Sequence, residues 1–292
     1  KSLFREMTGF AGWSFLSSAA SLVTMQGMSI VLNSFFGVIV NAAQGVANQI
    51  SGQLMAFSNT MLKALNPVLV KSEGGSNRNQ MIKIAMTGSK FSFFLLAFFA
   101  IPCILETQYI LELWLKDVPE WAVLFCKLEL VRNLITQLIV VVQSGIGAEG
   151  RIKNFTIVRS ISYFLPLPLS VLFFSLGFPP FYIYILWIFC WGIIGSFIVL
   201  YYAHKNYGLP MREYVKNVFL PAVYLFTISC LAGVVPVLMM DSGFVRFILV
   251  GTLSSISFLL SFWFISISPK EKELMYMLVE KFSERIRKHR ST

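Results

Sequence analysis

Lys127, Glu129 and Arg132 place three ionisable groups inside an otherwise apolar stretch, residues 121–144, with Asn133, Thr136, Gln137 and Gln143 beyond them. Glu129 and Arg132 are three residues apart, so on a helix they share a face and can pair. Lys127 is out of phase with Glu129 and nearer the end of the stretch, which lets its long stem reach outward. Arg132 falls roughly 16 Å along a helix that starts near Trp121, at 1.5 Å per residue. A charge at that depth in a bilayer costs on the order of 2.5–3.5 kcal/mol even on the mildest scale. Two roles repay such a cost: a buried structural ion pair, or a cation turned toward a wet passage that receives an anion. The group nets one positive charge, which matches the second role.

A second set lies in the preceding apolar segments. Asn41, Gln44, Asn48, Gly52, Met55 and Asn59 recur every three or four residues, and Gln49, Ser51 and Gln53 broaden the same face. Amides and small residues can glue membrane helices together. A run this long equally suits the wall of a water-filled cavity, and that is the expectation adopted. Asn41, Gln44 and Asn48 are the candidate cavity donors and acceptors.

Other chemistry is poorly supported. Gly145-Ile146-Gly147-Ala148-Glu149-Gly150 spells a dinucleotide fingerprint, but it follows a helical stretch with no βαβ unit around it; glycines at a helix exit explain it. The four cysteines, Cys103, Cys126, Cys190 and Cys230, stand singly, and the two histidines, His204 and His289, are far apart. No catalytic residue, metal site or cofactor is expected.

The elements that must position these residues are membrane helices. Hydrophobic residues make up 56% of the chain and charged residues 13%, with a mean hydropathy of +0.71; a soluble domain carries about 25% charged residues. Eight stretches approach the roughly 20 residues that a crossing needs: 10–32, 38–64, 91–107, 121–144, 155–176, 181–203, 219–239 and 247–266. The net charge of +10 is not a nucleic-acid signature, because twenty of the 24 Lys and Arg residues fall on alternate connections and the termini. By the positive-inside rule, both termini are expected in the cytoplasm, with Arg159 counted on an inner connection. The outer side is expected to hold the links 33–37 and 177–180 and a stretch of about 108–120.

Finer expectations concern the connections. Asn66-Pro67 should stop the second span, Gly74-Gly75-Ser76-Asn77 should turn the chain, and residues 81–90 should form a short interfacial helix. Pro166 and Pro168 should break the fifth span, as a hinge or a static kink. Ser268-Pro269-Lys270-Glu271 reads as a capping box opening a basic amphipathic tail helix, 268–292, that lies on the membrane or binds a cytosolic partner.

The segment GVIVNAAQGVANQISGQLMAFSNTMLKALNPVLVK, residues 37–71, resembles the start of the second half of bacterial polysaccharide flippases, in the superfamily of multidrug and oligosaccharidyl-lipid exporters. ILELWLKDVPEWA (110–122) and SGIGAEGRIKNF (144–155) fall where that family has comparable loops. The resemblance implies an all-α integral membrane protein built as one six-helix lobe of a two-lobed transporter (residues 1–205), two extra helices (206–267) and the tail. It implies an amino-terminal lobe missing from this chain, which begins on lysine. It also implies a bacterial inner-membrane location and transport of a lipid-linked oligosaccharide, an undecaprenyl-diphosphate carrier of polysaccharide or lipopolysaccharide units. H⁺ or Na⁺ is a coupling ion open to such a transporter. Arg132 would then be the lumen cation, oriented by Glu129. A drug/cation antiporter of the same superfamily is the first alternative and a membrane-embedded glycan polymerase or ligase the second.

Overall fold

The computed structural model describes residues 2–75, 77–267, 271 and 272, with side chains from residue 8 onward except Phe10. The expected tail helix and its capping box lie outside the described residues, apart from Glu271 and Lys272. Among the described residues the chain is all helix, without strands. Six helical segments are long and apolar enough to cross a membrane, so the protein is a multi-pass, all-α membrane protein.

The first two expected spans are the arms of one element, α1 (Ser2–Gly74), whose helical course is interrupted at Gly37 by φ 82° and ψ −176°. Ser29 and Gln44 are fifteen residues apart, yet the Ser29 hydroxyl donates to Gln44 Oε1 at 2.8 Å. A continuous helix would separate them by roughly 22 Å, so the chain folds back at Gly37 and its arms run side by side. The expected reversal near residues 33–37 is therefore made by one glycine. The expected stop at Pro67 is not there. Helix α1 continues to Gly74, because Leu69 and Ser72 beyond the proline are buried and hold the last turns in the packed core.

Asn77 then caps α2 (Arg78–Leu105), accepting from the Gln80 N–H. The expected interfacial helix at 81–90 is the first part of α2, which brings the marginal third span up to 28 residues. Met81, Ala85 and Met86 are buried because they face protein. Gly88 permits the crossing: a Cβ there would fall 2.5 Å from Leu65 and 3.0 Å from Val141.

A short helix, α3 (Thr107–Trp114), follows at the far end of α2. The fourth span is divided into α4 (Ala122–Gln137) and α5 (Val140–Glu149). The break at Leu138–Ile139 has no proline or glycine. Other helices satisfy its freed backbone groups, as lipid cannot. The Ser89 hydroxyl accepts from the N–H groups of Val141 (3.1 Å) and Val142 (3.2 Å). Tyr214 donates to the Leu138 carbonyl at 2.9 Å and Tyr207 to the Val142 carbonyl at 3.0 Å.

The fifth span is α6 (Lys153–Phe164) and α7 (Pro166–Ser175), interrupted at Leu165 beside the expected proline pair. Leu165 keeps helical angles, φ −55° and ψ −38°, so the interruption does not reverse the chain. The sixth is α8 (Tyr182–Trp187), a widened π-helical segment Ile188–Ile194, and α9 (Gly195–Tyr207). Then come α10 (Met211–Tyr214), a π-helical turn Val215–Phe219 and α11 (Leu220–Met239). The last is α12 (Phe244–Ser261), continued by Phe262–Ser266.

Helices α11 and α12 pack on each other and on α2. A Cβ at Gly233 would meet Leu105 at 2.5 Å and Ser254 at 3.2 Å. Phe94 meets Phe258 and Phe262 edge-on, with centroids 6.3 and 5.4 Å apart. Ion pairs pin the two ends of this packing. Arg246 binds buried Glu106 through two bonds, 2.8 and 2.9 Å. At the opposite end, buried Lys90 donates to Ser266 O at 3.1 Å and Glu271 Oε2 at 2.7 Å.

Candidate functional site

The second arm of α1 turns a polar surface away from the bundle. Gly45, Asn48, Gln49, Gly52, Gln53, Asn59 and Thr60 are all exposed, and a Cβ at Gly45 or Gly52 would meet nothing within 4 Å. Gln44 belongs to the same helix but lies at the edge of this face, 2 % exposed, bonded to Ser29. Asn41 is half-buried. The structure thus separates Gln44, which joins the two arms, from Asn48, which faces outward.

Behind that face sits a polar cluster. Arg132 holds Glu129 through two bonds, Nε to Oε2 at 3.0 Å and Nη2 to Oε1. The Ser51 hydroxyl reaches Glu129 Oε1 at 3.5 Å and accepts from Asn133 Nδ2 at 2.5 Å. One helical turn on, Gln137 contacts Met55 Sδ at 3.2 Å. Of the expected residues, Glu129, Arg132 and Asn133 are therefore brought together, with Ser51 added from α1. Lys127 is not part of it. It lines a separate cavity of about 370 Å³ with Glu120 and Trp121 near the start of α4, in keeping with its different phase.

Two tryptophans one turn apart cover the guanidinium of Arg132. Its Cζ lies 5.4 Å from the Trp187 ring and 5.6 Å from the Trp191 ring. Such contacts are worth about 2 kcal/mol when desolvated. With its carboxylate partner in place, Arg132 is a neutralised cation.

Arg159 falls inside the expected stretch 155–176 although it counts among the inner-connection cations; it lies in α6, 3 % exposed. Its Nη1 donates to the Trp191 carbonyl at 3.4 Å and its Cζ sits 4.5 Å from the Tyr163 ring. Arg159 enters none of the ion pairs among the described residues, and its Nε has no partner. The widened turn Ile188–Ile194 creates the setting by freeing carbonyls: Trp191 O accepts from Arg159 and Cys190 O from Ser162, at 2.6 Å. Trp191 Nε1 donates across to Tyr163 O at 2.9 Å. Trp191 thus contacts both guanidiniums, Arg132 through its ring and Arg159 through its carbonyl.

Buried polar atoms beside these residues have no partner among the described residues: Tyr184 Oη, Trp187 Nε1 and Gln137 Oε1; Gln44 Nε2, on the second arm of α1, has none either. Buried polar atoms ordinarily find a protein or water partner, so this group has capacity for water or ligand. The arrangement offers two guanidiniums, one carboxylate and uncommitted donors, beside an exposed amide face. The glycine motif at 145–150 has a structural explanation. A Cβ at Gly145 would fall 3.2 Å from the Tyr207 ring, and Gly150 ends α5 at φ 92°.

No protein-family model, curated protein or solved structure matches this chain.

Proposed function

We propose that the chain is part of a transporter that moves a lipid-linked oligosaccharide, carried on undecaprenyl diphosphate, across a bacterial inner membrane by alternating access. The observation that carries this reading is the charge imbalance in the helical interior: Arg132 and Arg159 share Trp191, and among the described residues only Arg132 has a carboxylate. An uncompensated buried cation is costly in lipid and marks a substrate path. A diphosphate supplies the counter-charge, since guanidinium is suited to phosphate oxygens. The exposed amides Asn48, Gln49, Gln53 and Asn59 would then meet sugar hydroxyls in a watery lumen closed by a second lobe. The positive-inside distribution of Lys and Arg supports both termini in the cytoplasm. The antiporter reading fits less well, because a cation would need a free acidic partner and Glu129 is bound to Arg132.

The test is complementation of a host lacking this transporter, with surface glycan as readout and membrane expression as control. Arg159→Gln and Arg132→Ala should each abolish export at normal expression, while Arg159→Lys and Arg132→Lys retain part of it. Normal surface glycan in Arg159→Gln would reject the reading.

A further inference from the structure

A second polar concavity lies away from the Arg132–Arg159 cluster. It is a cavity of about 730 Å³ between α2, the π-helical turn before α11 and the end of α12. Its lining includes Lys83, Thr87 and Lys90 of α2, Glu213 and Lys216 near α11, and Glu271. Lys90 is 3 % exposed, and its ammonium spends two of its three donors on Ser266 O and Glu271. Lys83 and Lys216 are exposed and belong to no ion pair among the described residues. With Lys90 set against Glu271, two lysines face one carboxylate, so the described lining keeps one net positive charge. Thr87 adds a hydroxyl. Val218, Pro221 and Ile265 provide apolar wall beside the charges.

This is the composition of a lipid headgroup site. Basic pockets between membrane helices take anionic headgroups, and ligand pockets run to about 300–1,000 Å³. A phosphate between Lys83 and Lys216 would tie α2 to α11, and acyl chains would lie along the apolar wall. Glu213 is tolerated by a headgroup with hydroxyl donors and disfavours a bare polyanion. We propose that this cavity binds the phosphate headgroup of an anionic phospholipid and thereby clamps α11–α12 to α2. The proposal stands whether or not the chain is a flippase.

The experiment uses the full chain, delipidated in detergent, and follows its melting and lipid adducts by native mass spectrometry. The probes are phosphatidylglycerol, phosphatidylcholine of the same chain length, and inorganic phosphate. Phosphatidylglycerol should bind and raise the melting temperature, with the other two giving little. The double substitution Lys83→Gln/Lys216→Gln should weaken phosphatidylglycerol binding roughly tenfold or more, each lysine near a charged headgroup being worth about a factor of five. Lys71→Gln/Lys205→Gln, two exposed cations outside the cavity, should leave binding unchanged. Equal loss in the control pair would show diffuse attraction and overturn the site. Equal binding of phosphatidylcholine, or the full stabilisation from inorganic phosphate, would overturn the lipid assignment. Neither result bears on glycan export by the Arg159 variants, so the two readings fail separately.

Discussion

Arg159 occupies the space that a side chain at residue 195 would need: a Cβ on Gly195 would lie 1.6 Å from Nη1. The glycine of α9 and the arginine of α6 are therefore one structural unit. Gly195→Ala should displace the guanidinium from the Trp191 carbonyl and destabilise by about 1–3 kcal/mol, the usual range for overpacking. Arg159→Ala empties the same space. The double variant should be more stable than the sum of the single effects predicts, with a coupling of about 1 kcal/mol or more. Additive melting shifts across the four proteins would show that the two residues do not share that space.

The Arg132–Glu129 pair makes a different prediction. Removing one member of a buried pair leaves the other unmatched, at about 3–5 kcal/mol, whereas removing both costs much less. Glu129→Gln should therefore lower thermal stability sharply, and adding Arg132→Met should recover much of it. Asn133 and Ser51 extend the pair into α1, so the loss should also loosen α1 against α4. A Glu129→Gln protein that melts like the parent would mean that water already solvates the carboxylate.

Much of this was legible in the sequence where the cause is local. Apolar length gave the spans other than 121–144, which is two shorter helices; the i,i+3 spacing gave Glu129 and Arg132 a common face, and the Pro166–Pro168 pair marked the interruption at Leu165. What was missed has distant causes. Arg159 read as an inner-connection cation because its accommodation depends on Gly195, thirty-six residues on. Leu138–Ile139 carries no helix breaker, and the groups that satisfy its backbone come from Ser89, Tyr207 and Tyr214. Pro67 carried a real local signal that tertiary packing of Leu69 overrode. The amide face of α1 was visible as a period, but its division between buried Gln44 and exposed Asn48 follows from where the first arm lies.

Ser89 gives the break in the fourth span a specific test. Its hydroxyl is the acceptor for two N–H groups at the start of α5, a role that an N-cap side chain of the same helix normally fills. Ser89→Ala should cost about 1–2 kcal/mol, as loss of a cap does. Hydrogen exchange at Val141 and Val142 should quicken more than at the end of α5. Uniform exchange along α5 would indicate that the break is held by other contacts.

Gly37 carries the reversal on which the α1 hairpin depends. Its φ of 82° with ψ of −176° lies in a region that residues with a Cβ essentially do not occupy. A Cβ there would meet no atom within 4 Å, so any penalty on substitution comes from the backbone and not from crowding. Gly37→Ala should destabilise by about 1–3 kcal/mol and weaken the Ser29–Gln44 contact that joins the arms. Cysteines at 29 and 44 report that contact directly. Their cross-linking by a short thiol reagent should be efficient in the parent and reduced several-fold in the Gly37→Ala background. Undiminished cross-linking with unchanged melting would show that the hairpin tolerates another turn geometry.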